Sequence, residues 1–395
     1  MLNIIGGSYM ENCIDPPYNE LYGSGLRAAA ALADKGFKIK FHSCICKEFE
    51  ALAILKSSTF GYTYDYSIIS KTIEFDYYHP LSQPIPIINE SPVTQFNNIN
   101  GKSILYYGMI EAIAKFNGDY VVYDPQNHKS FKDTGSTAKH LAVILNKNEA
   151  LSLSKIKDHD LTHIGKDLLI SENAEIIVIK NGVHGALVFE GQSVYDIPVF
   201  KTNNVWPIGS GDIFSAVFAW KWMIEKNTAF QSAYQASQFT AQYCQSKQLP
   251  LSNTYITLEK LEIENKIKNI YLAGPFFSIA ERWLINELRN ILIDFGNNVF
   301  SPFHDVGMIE SCDIKTLASN IAKKDLEGLH GCDAVLAVFT GLDAGTLFEI
   351  GYAISINKKV VILAQNVNMN DLTMFIGAGC EITDDFSTAI YSVSW

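Results

Sequence analysis

The sequence predicts an α/β protein of two parallel-sheet domains in tandem, and three observations predict it. Short apolar runs rich in β-branched residues alternate with helical stretches: "LNIIGG", "KIKFHS", "YVVYDP", "AVILN", "EIIVIKNG", then "NIYLAG", "AVLAVF" and "KVVILA". That is the rhythm of parallel strands covered by helices. The rhythm stops once and restarts at Ile270, and 395 residues exceed what one ordinary core holds.

The break is marked by composition. A helix-rich region, 212–247, is followed by "LPLSNTYITLEKLEIENKIKN", which is polar and weakly patterned. It reads as a linker, or as a strand plus a charged helix, over 251–267. The expected domains are therefore 1–250 and 268–395. Residues 56–100, rich in Tyr, Ser, Asn and Pro, suit a small β lid or edge, or a long surface excursion. No tandem repeat joins the halves.

Composition narrows the function. With 48% hydrophobic and 18% charged residues the chain is globular. A net charge of -11 argues against nucleic acid and anionic membrane as partners, and favours small-molecule chemistry. "MLNIIGGSYMENC" has no basic n-region or long apolar stretch, which predicts a cytoplasmic protein with its seven scattered cysteines reduced. "DHDLTH", 158–163, gathers acids and histidines that suit a metal in composition, yet it reads as a solvated loop.

Two motifs carry chemistry in the first half. "WPIGSGDIFSAVFAW", 206–220, places a Gly-Ser-Gly turn before an apolar helix. Gly209 and Gly211 let backbone approach an anion, and the amides of the helix start point at it. Asp212 sits in the first turn, where an acid is often only a dipole partner. This segment resembles the Gly-Ala-Gly-Asp motif of the PfkB, or ribokinase-like, family of carbohydrate and nucleoside kinases. "GSGLRAAAALADKG", "VVYDPQN", "LNKNE" and "IKNGVHGALVF" follow that family's order. The resemblance implies a ribokinase-like α/β sandwich using ATP and Mg²⁺. In it Asp212 is the general base, and the amides of Gly209, Ser210 and Gly211 form the anion hole. Asn146 and Glu149 help hold Mg²⁺ and phosphate, Gly182 and Gly185 shape the turn beside adenosine, and Gly23 and Gly25 line the acceptor site.

Departures from that pattern bear on the acceptor. Trp206 stands where the family usually has Asp, Tyr22 breaks a Gly-Gly motif, and Glu11 or Asn12 replaces a sugar-gripping aspartate. Arg27 aligns with an asparagine that binds sugar hydroxyls. It is either a phosphate partner, which suggests a phosphorylated or nucleotide substrate, or a surface arginine on an alanine-rich helix. The half is accordingly a phosphotransferase on a sugar, nucleoside or nucleotide, or a nucleotide-sensing module that transfers nothing.

In the second half, "NIYLAGPFFS" reads as a strand ending in Gly-Pro before a helix, so its loop lies at the carboxyl end of a parallel sheet. "KKDLEGLHGCDAVLAVFTGLDAGTLFEIGYAI" adds a helix with Asp325, a buried strand, and a loop with Asp343. A helix beginning near Thr346 would then carry Glu349 in its first turn. These segments resemble the nucleoside 2-deoxyribosyltransferase family, a flavodoxin-like fold that includes deoxynucleotide N-hydrolases. The resemblance implies Glu349 as nucleophile on the anomeric carbon, Asp343 and Asp325 orienting sugar and base, and Tyr271 positioning the nucleophile. Gly274, Pro275 and Gly345 contribute to the substrate loops. Ser301 and His304 of "SPFHD" are either 5'-phosphate ligands or an ordinary turn.

Breaking a glycosidic C–N bond builds positive charge that a carboxylate stabilises and can trap, and this calls for no cofactor. The alternative for Glu349 alone is an acid that caps its helix. Members of the family complete their sites with a neighbouring subunit, which implies a homo-oligomer with "NMNDLTMFIGAG" as the contact.

Overall fold

The computed structural model describes residues 1–87, 93–126, 129–253, 257–261, 267–307 and 314–395. The chain forms two compact units, Met1–Ile263 and Glu264–Trp395. Parts of the expected lid (88–92) and linker (254–256 and 262–266), and Asn127 of "VVYDPQN", lie outside the described residues.

A nine-stranded sheet organises the first unit. Its order is Ser193–Ile197, Ala186–Glu190, Ile176–Lys180, Thr137–Asn146, Ala112–Asp124, Thr94–Tyr107, Leu2–Ile5, Ile39–Cys46 and Thr63–Ile69. Seven strands run parallel and the first two close one edge antiparallel. Central runs such as "AVIL" and "IIVI" are buried on both faces, which is why they lack alternation. Helices Gly23–Ala31, Ser210–Ala219 and Ala229–Ser246 pack on one side. The alanines of the first let it sit with every residue buried.

A separate four-stranded sheet, Tyr18–Leu21, Met10–Cys13, Glu74–Tyr77 and Ile85–Ile87, is the small lid. It differs from the expected one in drawing half its strands from residues 10–21. Residues 50–69 instead form the helix Glu50–Phe60 and a strand of the main sheet. Described residues of the expected linker pair with the first unit: Lys201 N donates to Glu259 O and Leu261 N to Val199 O. Phe200 and Lys260 form an isolated antiparallel bridge there.

The second unit is an all-parallel sheet, ordered Asn298–Phe300, Asn269–Ala273, Ala334–Phe339, Lys359–Ala364 and Glu381–Thr383. In chain order that is 2-1-3-4-5, the flavodoxin-like arrangement. The direction of winding reverses between the first and third strands, so a crevice opens at their carboxyl ends. Among the described residues, no helix is long and apolar enough to cross a membrane.

Gly25 shows how closely helix and sheet meet. A Cβ there would fall 2.7 Å from Gly6 Cα and 2.6 Å from the Phe41 ring. Because Gly6 is backbone at a strand end, it cannot swing aside. Gly25→Ala should cost about 1–3 kcal/mol, read as a lower denaturant midpoint at unchanged slope; a wild-type midpoint would contradict this packing.

Candidate active sites

The second unit's crevice gathers the expected acids. Tyr271 lies on the first strand, and the third strand leads through a short loop to the helix Ala344–Ser355. That helix starts earlier than expected. Asp343 is its N-cap, with Oδ2 accepting from Thr346 N (2.7 Å) and Thr346 Oγ1 (2.6 Å). The capping duty therefore falls to Asp343, and Glu349 sits in the second turn, too far along the helix to cap it. Glu349 instead accepts a 2.8 Å hydrogen bond from the hydroxyl of Tyr271, 78 residues away in sequence.

Burial, with Asp325 and Asp343 adding their repulsion, pushes Glu349 up to about 7, while the Tyr271 hydrogen bond pulls it down. Tyr271 is raised by its own burial and by Glu349, so it remains a donor. Asp325, on the helix Ile314–Gly331, is held up by burial, and its Oδ1 is buried without a hydrogen-bond partner. A glutamate raised to about 7 thus stands near an aspartate that burial also raises.

Gly274 and Pro275 are buried at the end of the first strand, where a Cβ on Gly274 would lie 2.7 Å from Ile285 Cδ1 and 2.9 Å from Val338 Cβ. They let the strand turn tightly into the crevice. Gly345 lies beside Asp343, with 3.3 Å between a Cβ there and Oδ2. Ser301 is fully buried. Its N–H donates to Asp305 Oδ2 (2.8 Å), and its hydroxyl pairs with His304 Nδ1 (3.1 Å). These two bonds close the loop on itself, with the Asp305 carboxylate inside.

The first unit gathers a second set at the carboxyl edge of its sheet. Asp124, Asn146 and Lys180 are the last residues of three neighbouring strands. Asp212, in the first turn of Ser210–Ala219, has both oxygens engaged: Oδ2 accepts from Arg27 Nη1 and Oδ1 from Gln126 Nε2, each at 2.8 Å. Burial, then Asp124 and Glu11, push it up to about 6 against the pull of Arg27 and Lys180. Arg27 is 1% exposed and also pairs with Glu11 of the lid sheet. The surface alternative is therefore wrong, and the arginine joins Glu11 to Asp212. Gly23, at φ +69°, donates its N–H to Glu11 (3.2 Å), whereas Gly25 is enclosed by packing. Trp206 packs on Tyr18 with the rings tilted, and the Lys247 ammonium lies 3.8 Å from its ring centre.

Asn146 and Glu149 form a capping box on Lys147–Leu153. Glu149 is pushed up to about 7 by burial and then by Asp124. Gly182 and Gly185, both at positive φ, make the turn that follows Lys180. Among the described residues no group of three or more His, Cys, Asp or Glu forms a metal cage. The acids Glu149 and Asp124 are hard oxygen donors of the kind Mg²⁺ takes when it shares phosphate oxygens and water, so the site fits Mg²⁺ through Glu149 better than through Asn146. "DHDLTH" is a capped, exposed turn: Asp160 accepts from Thr162 N and Asp158 from His163.

Sequence reasoning did not single out Lys180, Asp124, Gln126 or Ser215. Ser215 Oγ donates to Asp124 Oδ2 (2.7 Å), and Lys180 Nζ donates to the same oxygen (2.9 Å). For Asp124 and Lys180 the signal was positional, since the last residues of adjacent parallel strands share one edge.

Comparison with known proteins divides the chain in the same order. Residues 105–251 match the family described as pfkB family carbohydrate kinase, and residues 270–385 match Nucleoside 2-deoxyribosyltransferase. No curated protein matches. Solved structures similar to the chain include a pyrophosphate-dependent kinase in the ribokinase family, complexed with a pyrophosphate analogue and myo-inositol. It is 15% identical at a TM-score of 0.49, covering 64% of this chain and 97% of that one. A nucleoside kinase from Methanocaldococcus jannaschii is 13% identical at 0.48, covering 63% and 94%. Fructokinase from Vibrio cholerae O395, bound to fructose, ADP and calcium ion, is 12% identical at 0.48, covering 62% and 93%.

The Tyr271 hydroxyl favours the charged form of Glu349. Tyr271→Phe should therefore move the Glu349 midpoint above about 7, read by a carboxyl ¹³C titration; a midpoint falling toward the ordinary carboxylate range would contradict the pairing.

Proposed function

We propose that this chain, a kinase-family domain followed by a deoxyribosyltransferase-family domain, is a bifunctional enzyme of nucleoside or nucleotide metabolism. The C-terminal unit cleaves or exchanges the N-glycosidic bond of a (deoxy)nucleoside or its 5'-monophosphate. The N-terminal unit is an ATP-dependent phosphotransferase on a sugar, nucleoside or nucleotide. The observation that carries the first statement is the hydrogen-bonded pair Tyr271–Glu349, flanked by Asp325 and Asp343 at the sheet's switch point.

In the reaction, a Glu349 oxygen bonds to the anomeric carbon as the C–N bond breaks and the electron pair leaves on the base. Asp325, whose carboxyl burial raises above its ordinary range, gives that base its proton. Asp343 has one oxygen fixed by Thr346, which leaves the other to orient a sugar hydroxyl. Water or a second base then displaces the glycosyl group from Glu349. Exposed Met369, Met374, Ile376 and Phe348 around this unit support a homo-oligomer.

In the N-terminal unit, Asp212 takes the proton of the acceptor hydroxyl and the amides of 209–211 hold the transferred group. Mg²⁺ at Glu149 would offset phosphate charge. A second reading has a specific observation behind it. Both Asp212 oxygens are already engaged and Arg27 fills the space beside them, which suits a nucleotide-sensing module that regulates a nucleotide N-glycosidase.

Glu349→Ala should slow base release at least ~10²-fold across a panel of nucleosides and nucleotides, followed by chromatography. Wild-type rates would refute the nucleophile. Because Glu349 must be ionised, wild-type kcat/KM should rise with pH through about 7; a rate flat across that range would contradict it. For the other unit, Asp212→Ala should abolish phosphorylation and keep nucleotide binding, whereas a wild type that phosphorylates nothing selects the sensing module.

A further inference from the structure

We infer that Lys180 is a catalytic residue of the N-terminal unit, the cation that grips the phosphoryl group at the glycine turn 209–211. The inference rests on the phosphotransfer reading of that unit. Lys180 ends the strand Ile176–Lys180, and a Cβ built on Gly211 would lie 3.3 Å from its Nζ. The ammonium therefore lies against the last glycine of the turn, at the N-terminus of a ten-residue helix. On the other side of the turn a Cβ at Gly209 would fall 2.2 Å from Arg27 Cζ. Arg27 is 1% exposed, and its Nε is buried with no hydrogen-bond acceptor. Two cations thus bracket the turn, one with a buried donor unanswered, and an anion seated on the turn's amides would meet both.

The two cations are not equivalent. Arg27 has its terminal nitrogens committed to Glu11 and Asp212, so it cannot leave without stranding two buried carboxylates. Lys180 has Asp124 as its hydrogen-bond partner, and the same Asp124 oxygen also accepts from Ser215. Asp124 keeps a donor when the ammonium turns to a phosphate, and an ammonium on a flexible stem has three donors to share. In the transfer step the acceptor oxygen bonds to the γ-phosphorus as the bond to the β,γ-bridging oxygen breaks. The hydroxyl proton goes to Asp212 and the electron pair leaves on ADP. Lys180 exchanges no proton; it offsets negative charge on the oxygens in flight.

The test uses the full chain with Lys180→Met and Lys180→Arg, measuring ATP and ADP binding with Mg²⁺ by calorimetry and transfer to a nucleoside panel. Lys180→Met should lose about tenfold or more in ATP affinity while ADP binding holds. Transfer should fall ~10²-fold, and Lys180→Arg should recover part of both. If Lys180→Met does not fold, Lys180→Gln takes its place in the same comparison. An unchanged ratio of ATP to ADP affinity in the folded variant overturns the inference, as does a wild type that binds the two equally. A wild type that prefers ATP but transfers to no acceptor refutes the phosphotransfer reading alone, and the affinity ratio still judges the lysine's contact.

Discussion

A carboxylate removed from water must be answered by a donor or give up its charge, and both units of this protein are arranged around that constraint. In the C-terminal unit the answer is a single phenol, Tyr271, which holds Glu349 near the balance point between its two forms. In the N-terminal unit the answer is a network: Arg27 joins Glu11 to Asp212, and Lys180 with Ser215 serves Asp124. Several donors hold acids in fixed relation to one another, so that charge is already positioned when a ligand arrives.

Parallel sheets make this arrangement economical. Their strands deliver consecutive side chains to one edge, and the helices that follow begin there with unpaired amides. Asp124, Asn146 and Lys180 come to one edge simply as strand ends, while Asp212 enters from the start of a helix. In the second unit Tyr271 comes from one strand and Glu349 from the helix after its neighbour. The lid sheet adds Glu11 from outside this scheme, and Arg27 links it to Asp212 by ion pairs.

The strands were legible because buried parallel strands are unbroken apolar runs, and the motif glycines and acids were legible because their spacing is local. The lid's first half was not, since "MENC" and "YNEL" are four-residue polar strands with no periodicity to detect. The helix before Glu349 starts ahead of Thr346 because Asp343 caps it, and an acid three residues before Thr346 is a capping signal in the sequence. Arg27 stayed ambiguous because its partner Asp212 is 185 residues away. An alanine-rich helix can face solvent or bury itself completely, and only the fold decides. Ser301 and His304 have composition suited to a phosphate, and their pairing with each other is set by a short turn the sequence leaves open.

The central claim is that Glu349 forms a bond to the sugar. Its most direct measurement is acid quenching of the enzyme during turnover of a nucleoside substrate, followed by peptide mass spectrometry. A glycosyl adduct on Glu349 is the predicted result. Turnover that leaves this residue unmodified while another side chain carries the sugar would contradict it.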